Sequence, residues 1–277
     1  MVELSGDEVK RFFENQFIIR AKDRKFDKKI IIIENPYDKS AASYAKSKKK
    51  ILESFNIPYE IESLPEVYDN EYLLKKIIRF NEDLSVTGIF LQMPLGKNID
   101  QRLIIDSIDP SKDIEGITSA SLGKIMIGDE TIVPPTAMSI ISILEFYKIP
   151  IESANTVIIN RSLIIGKPLI FLLLKRNATV TICHTKTKEI EKHIKEADIV
   201  ISGVGRAHFF DNKELKRDGT LIDASINFEN GKMIGDFCPQ NLNQELYNNF
   251  KYTPVPGGVG VVTNIMLIRN ILNAFEL

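Results

Sequence analysis

From residue 28 onward, short β-branched runs alternate with helical segments, and this order limits the possible folds more than any other feature of the chain. KKIIIIENP reads as a buried strand ended by Asn-Pro, DKSAASYAKSKKKILESF has helical character, and NIPYEIESLP resumes as a strand. EYLLKKIIRFNED carries Leu73, Leu74, Ile77 and Ile78 at helical spacing, and SVTGIFLQMP is a further buried strand. A βαβαβ order of this kind predicts a mostly parallel sheet covered by helices on both faces. A second alternation begins at NTVIIN and continues through ATVTICH, ADIVISGVG and GTLIDASIN. That is the order of a Rossmann-like nucleotide-binding domain.

The stretch between the two alternations, residues 106–136, is rich in turn residues and marks a boundary. At 277 residues the chain exceeds the usual length of one domain. The expectation is a two-domain α/β protein: residues 1–135 plus 264–277 form a substrate domain, and residues 136–263 form a dinucleotide-binding domain. The last helix, TNIMLIRNILNAFEL, returns to the first domain.

Lysine and arginine number 36 against 37 acidic residues, a net charge of -1. That balance offers no global attraction to nucleic acid or to an anionic membrane, so a small-molecule partner is expected. MVELSGDEVKRFFENQF lacks the apolar run of a signal peptide, and LIIGKPLIFLLLK is too short and interrupted to span a bilayer, which predicts a cytoplasmic protein. Cys183 and Cys238 stand alone and far apart, so neither a disulfide framework nor a metal centre is expected.

TVIINRSLIIGKPLIFLLL reads as strand, tight turn and helix, the setting in which a backbone approaches a pyrophosphate at a helix N-terminus. The usual glycine fingerprint is missing. Asn160 stands at the first glycine's place, Ser162 two residues on and Gly166 six residues on. Asparagine tolerates positive φ best after glycine, so the turn can survive the replacement. At the end of the next strand, CHTKTK presents His184, Thr185, Lys186 and Lys188 where a site for NAD presents a carboxylate. With Arg161 in the first turn, this favours the 2′-phosphate of NADP. For His184 alone, a polar residue closing a strand is the competing reading.

Tyr44 and Lys48 are four residues apart and share a helix face, whereas Lys46, Lys49 and Lys50 lie on other faces. A solvated helix surface is the alternative for each lysine. Gln92 sits at the carboxyl end of a buried strand, where open α/β sheets collect ligand-binding groups. KDIEG follows with Asp113 and Glu115, and TPVPGGVGVVTN precedes the last helix. Asp113, beside Pro110 and Ser111, reads as a turn-forming aspartate.

Taken together and in order, Tyr-x-x-x-Lys, GIFLQMPL, KDIEG, the NRS turn, IIGKPL, HTKT and PVPGGVG resemble the bifunctional methylenetetrahydrofolate dehydrogenase/cyclohydrolase family. The resemblance runs from about residue 30 to the C-terminus. It implies a pterin site in the cleft between domains, NADP on the second domain and a homodimer built through that domain. It makes Lys48, Tyr44 and Gln92 the catalytic candidates and Tyr44, Gln92, Glu115, Pro256, Gly257 and Gly258 the substrate-binding ones. Asn160, Arg161, Ser162, His184, Thr185 and Ile226 are the cofactor-binding candidates. It also suggests cis bonds at Met93-Pro94 and Val255-Pro256.

The chemistry follows from charge. Loss of hydride from the methylene carbon leaves a methenyl cation, and its hydrolysis needs water together with a group that moves a proton near neutral pH. Burial and a neighbouring cation both lower a lysine's proton affinity, which suits Lys48. Gln92 is expected to hydrogen-bond the amine and fix its direction without adding charge. A glutamate there would hold the amine protonated.

Several positions depart from the family pattern. KDVDG appears as KDIEG, which makes the carboxylate at 115 one methylene longer. The glycine before Arg-Ser is Asn160, Pro-Cys-Thr-Pro-x-Gly is VPPTAMS at 133–139, and Val261 and Val262 replace Pro-Met. Competing readings are a dehydrogenase of another small substrate, a dehydrogenase with weak cyclohydrolase activity, and a non-catalytic nucleotide-binding regulator.

Overall fold

The computed structural model describes residues 1–276 apart from 23, 38, 212 and 244, and it leaves the side chains of residues 39–45 undescribed. The candidate side chain of Tyr44 therefore lies outside the described residues.

The chain opens with β1 (Val2–Glu3), α1 (Gly6–Ala21), β2 (Lys29–Glu34), α2 (Lys39–Ser54), β3 (Tyr59–Ser63), α3 (Asn70–Glu82), β4 (Val86–Leu91), α4 (Gln101–Asp106) and α5 (Ser119–Met126). Strands β3, β2 and β4 form a parallel three-stranded sheet in that order. All four isoleucines of β2 are buried, because a parallel sheet has both faces covered. The Asp69 side chain caps α3 by accepting from the Tyr72 amide at 2.8 Å. Leu73, Ile77 and Phe80 then turn inward, each burial contributing about 1.5–3 kcal/mol. Ile78, expected on the same apolar face, is 50% exposed, so Phe80 completes the buried row instead. Helix α5 lies inside the turn-rich stretch, residues 106–136, that interrupts the alternation.

After α4 the backbone passes close along β4: the Ile89 amide donates to the Lys112 carbonyl at 2.8 Å, and Ile89 bridges Asp113. Gly88 permits this approach. A Cβ there would lie 2.3 Å from a methyl of Ile114. The approach brings KDIEG to the carboxyl end of β4, beside Gln92.

The chain continues with α6 (Pro135–Phe146), β5 (Asn155–Ile159), α7 (Gly166–Leu174), β6 (Thr179–Cys183), α8 (Ile190–Ile194), β7 (Ile199–Ser202), β8 (Thr220–Asp223), β9 (Asn227–Glu229), β10 (Lys232–Ile234), β11 (Lys251–Tyr252) and α9 (Val259–Ala274). A six-stranded sheet has the order β1-β11-β8-β7-β5-β6, all parallel, and β9 and β10 form a separate antiparallel pair. Its core includes Val157, Ile159, Val200, Phe210, Leu221 and Phe250. From β5 the chain goes to β6 on one side and then to β7 on the other. The β5–β7 crevice is therefore the sheet's switch point, where doubly wound folds bind ligands.

The chain divides into two compact units. One comprises Met1–Phe13, Ile125–Gly128 and Pro134–Thr263; the other comprises Glu14–Lys124, Asp129–Val133 and Asn264–Leu277. The sequence pattern groups residues 1–13 with the first alternation, but β1 pairs with β11 at the edge of the six-stranded sheet. A two-residue strand carries too little periodicity to announce its partner. Both Met93-Pro94 and Val255-Pro256 are cis, as the resemblance suggests. Among the described residues no helix is long and apolar enough to cross a membrane.

Candidate functional site

Lys48 lies on α2 with 1% of its surface exposed, so the lysine that shares a face with Tyr44 is not part of a wet helix surface. Its ammonium nitrogen donates to Oδ1 of Asn264 at 3.0 Å and lies 5.9 Å from the centroid of the Phe90 ring. Burial pushes Lys48 down to about 8, with Glu115 acting in the opposite direction. Burial pushes Glu115 up to about 8, Lys48 opposing and Asp113 reinforcing the shift. Near neutral pH this lysine and carboxyl sit where a proton can be taken up or released, which fits proton-transfer chemistry.

The elements around the pair hold it firmly. Glu115 accepts from the Leu91 amide at the end of β4. Lys112 is buried and its Nζ donates to the carbonyls of Phe80, Asn81 and Asp83 at 2.6–2.8 Å, capping the C-terminal end of α3. Asn270 on α9 donates to the carbonyls of Ile114 and Val133 at 2.9 and 2.7 Å. Asp113 accepts from the Thr118 amide at 2.8 Å, the turn role expected of it, and its other oxygen is buried without a partner.

Gln92 is 2% exposed, and its backbone amide donates to Ile33 O at 2.9 Å. Neither its Nε2 nor its Oε1 has a hydrogen-bond partner. The expected bond from this carboxamide to Lys48 is therefore not made; Asn264 accepts from the amine instead. A buried carboxamide with both ends unpaired is costly, and its place at a strand's carboxyl end marks it for a ligand.

In the six-stranded unit, the Asn160 side chain rebuilds the turn after β5. Its Oδ1 accepts from the Ser162 and Gly166 amides at 2.8 and 3.1 Å, and its Nδ2 donates to the Gly203 carbonyl at 2.7 Å. Asn160 is not among the residues of positive φ, so it replaces glycine by hydrogen bonding and not by backbone freedom. The bond to Gly203 spans the crevice between β5 and β7. The amides that open α7 are also engaged: Gly166 bonds Asn160, Lys167 bonds the Ser162 carbonyl, and Pro168 has none. The Ser162 hydroxyl also accepts from the Ile165 amide at 3.2 Å.

Arg161, Thr185 and Lys186 are exposed. His184 follows β6 and its Nδ1 accepts from the Lys186 amide at 3.1 Å, a turn-closing role. Ile226, 57% exposed, lies just beyond β8. Pro256 is exposed, and Gly257 has φ +108° with its carbonyl accepting from the Gly6 amide at 2.7 Å. A Cβ on Gly258 would lie 2.5 Å from the Pro254 carbonyl oxygen. The close approach these glycines permit is first to the chain itself.

Sequence reasoning misses Asn264, whose place in TPVPGGVGVVTN shows no spacing to Lys48, and Lys112 and Asn270, which act from buried positions. It also misses Asp236. This residue is fully buried, accepts from Ser202 Oγ, Val204 N and Arg206 N at 2.6–2.9 Å, also bonds Ser225 and Asn227, and so holds the loop after β7. Among the described residues no group of three or more His, Cys, Asp or Glu side chains is placed to hold a metal ion.

The family model for the tetrahydrofolate dehydrogenase/cyclohydrolase catalytic domain matches residues 4–115, and that for the NAD(P)-binding domain matches residues 134–277. The bifunctional protein FolD of Clostridium novyi is 39% identical over 270 residues, covering 98% of this chain and 95% of that protein. The crystal structure of the bifunctional FolD dehydrogenase/cyclohydrolase from Campylobacter jejuni superposes with a TM-score of 0.92 at 31% identity, covering 100% of this chain and 99% of that one. The Trypanosoma brucei enzyme, solved with NADP cofactor and an inhibitor, superposes with a TM-score of 0.87 at 26% identity, covering 100% and 97%. This chain belongs to the tetrahydrofolate dehydrogenase/cyclohydrolase family.

Proposed function

We propose that this chain oxidises methylene-tetrahydrofolate to the methenyl form with NADP and hydrolyses the methenyl product to formyl-tetrahydrofolate. The observation that carries the reading is the buried amine of Lys48 in the same unit as the buried, unpartnered carboxamide of Gln92 at the end of β4, with the half-buried Glu115 acting on the amine. Gln92 and Glu115 bind the pterin, Gln92 through the donor and acceptor its burial leaves unused. Lys48, held partly uncharged by burial, takes the proton from the attacking water. The methenyl cation itself lowers the amine's proton affinity further, so substrate turns the base on.

The residues of the six-stranded unit fit NADP. Arg161 and Ser162 at the turn after β5, with Thr185 and Lys186 after β6, offer cations and hydroxyls and no carboxylate, a donor set suited to a 2′-phosphate. When bound, NADP supplies the hydride acceptor. Asn160 keeps the turn in shape, and Ile226, Pro256, Gly257 and Gly258 are assigned to the walls that receive the cofactor and substrate. The family reading carries with it a homodimer and a cytoplasmic location; sedimentation at several concentrations tests the first.

A spectrophotometric assay with methylene-tetrahydrofolate and NADP tests the whole reading. Formation of NADPH should be followed by decay of the methenyl absorbance. Tight NADP binding without folate turnover would overturn it in favour of a non-catalytic binder.

A further inference from the structure

Asn264 lies near the start of α9, half-buried, with its carboxamide between two consecutive residues of α2. Its Oδ1 accepts from Lys48 Nζ at 3.0 Å, and its Nδ2 donates to Ser47 Oγ at 2.6 Å. An ammonium only donates, so the carboxamide must turn its oxygen toward Lys48, and the Ser47 hydroxyl takes up the amide hydrogen left on the other side. We propose that Asn264 is a positioning residue for the hydrolytic step: its carboxamide oxygen holds the Lys48 amine by one N–H, so the lone pair of the neutral amine takes another position on the nitrogen, from which it can receive a proton of the water to be activated. The proposal rests on the reading of Lys48 as the base.

A neutral amine has two N–H groups and one lone pair. A partner that only accepts can engage an N–H but never the lone pair, whereas a donor at the same place would occupy the lone pair and silence the base. Asn264 also does this without charge. Among the described residues the carboxyl that acts on Lys48 is Glu115, whose ionised form favours the ammonium, and Asp113 acts on Glu115 in turn. Phe90 presents a ring, and Gln92 is neutral. A carboxylate in place of Asn264 would reinforce Glu115 and keep the amine protonated. The orienting role expected of Gln92 thus falls to Asn264, and the Gln92 carboxamide stays available to a ligand.

In the step concerned, the water oxygen bonds to the methenyl carbon while one of its protons passes to Lys48 Nζ. The resulting carbinolamine then breaks one carbon–nitrogen bond: the proton on Lys48 passes to the leaving nitrogen, and the carbinolamine hydroxyl gives up its proton to solvent as the formyl C=O forms, so one proton is released for the positive charge lost. Charge and atoms balance with water as the only co-reactant.

The test uses the full-length protein and measures methenyl-tetrahydrofolate hydrolysis and methylene-tetrahydrofolate oxidation from about pH 6 to about pH 9 for wild type, Asn264→Ala, Asn264→Asp and Lys48→Met. Asn264→Ala should lose hydrolysis by about tenfold or more, with oxidation changed by no more than about threefold. Asn264→Asp should move the rising limb of the hydrolysis profile up by about one pH unit, because the added carboxylate favours the ammonium. An equal loss of both activities in Asn264→Ala, or an unmoved limb in Asn264→Asp, would assign Asn264 a merely structural part and overturn the proposal. If Lys48→Met hydrolyses as fast as wild type, the reading of Lys48 fails and the proposal goes with it. If Lys48→Met is inactive while Asn264→Ala is not, only the positioning role is lost.

Discussion

The Gly166 amide donates to the carboxamide oxygen of Asn160 at 3.1 Å, so one side chain closes the turn from β5 into α7. The same carboxamide also bonds Ser162 N and Gly203 O. Asn160→Ala removes all three bonds and leaves two amides and a carbonyl to find new partners. We expect a loss of about 1–3 kcal/mol in unfolding free energy by urea titration, together with weaker NADP binding. Unchanged stability would show that water replaces the carboxamide without cost.

Arg161 is exposed beside that turn, and no carboxylate lies among the residues directly after β6. If it grips the 2′-phosphate, Arg161→Gln should reduce kcat/KM with NADP by about tenfold to a hundredfold, the worth of one charge-assisted contact, and leave activity with NAD nearly unchanged. Equal losses with both cofactors would place the arginine elsewhere in the reaction.

These two residues also show how far the sequence could be read. The strands of both sheets are legible because a parallel sheet writes continuous apolar runs such as KIIIIE, and α3 and α9 are legible because amphipathic or apolar periods persist for three turns or more. Strand β1, two residues long, has no period to detect, and α5 hides among turn residues because eight residues of mixed character say little alone. Lys48, Gln92 and Glu115 are recognisable by their company along the chain. Asn264 is not, since its link to Lys48 crosses 216 positions and exists only once α2 and α9 are placed. The substitution of Asn160 for glycine is visible in the sequence, but its physical reason, three hydrogen bonds and not a positive φ, is not.

Asp223 in β8 is 1% exposed, and burial with the nearby Asp236 pushes its carboxyl up to about 7. An unfolded aspartate titrates near 4. Between those values the native chain keeps a proton that the unfolded chain has lost, so stability falls as pH rises through this window and levels off above it. We expect the melting temperature to drop by several degrees between about pH 5 and about pH 8, with Asp223→Asn showing a flatter dependence. Parallel curves for wild type and variant would sink this assignment.

Lys48→Met keeps much of the side chain's volume while removing the amine. Hydrolysis should fall by about a hundredfold or more, within the range of a lost general base, while NADP titrates as in wild type. Weakened NADP binding would instead point to a collapse that reaches the six-stranded unit.

Glu115 supports the charged form of Lys48, so its removal has a defined sign. With Glu115→Gln the amine loses an anionic neighbour, its proton affinity falls further, and the neutral base is reached at lower pH. The rising limb of the hydrolysis profile should therefore move down by about one unit, opposite to the shift expected for Asn264→Asp. The same change replaces the carboxyl assigned to the pterin by an amide, so the KM for folate should rise by about tenfold, and both effects can be read from one set of initial-rate curves. A profile that stays in place while KM rises would confine Glu115 to binding and remove it from control of the base. A profile that moves upward would overturn the sign assigned to Glu115, because the loss of an anionic neighbour cannot raise the amine's proton affinity.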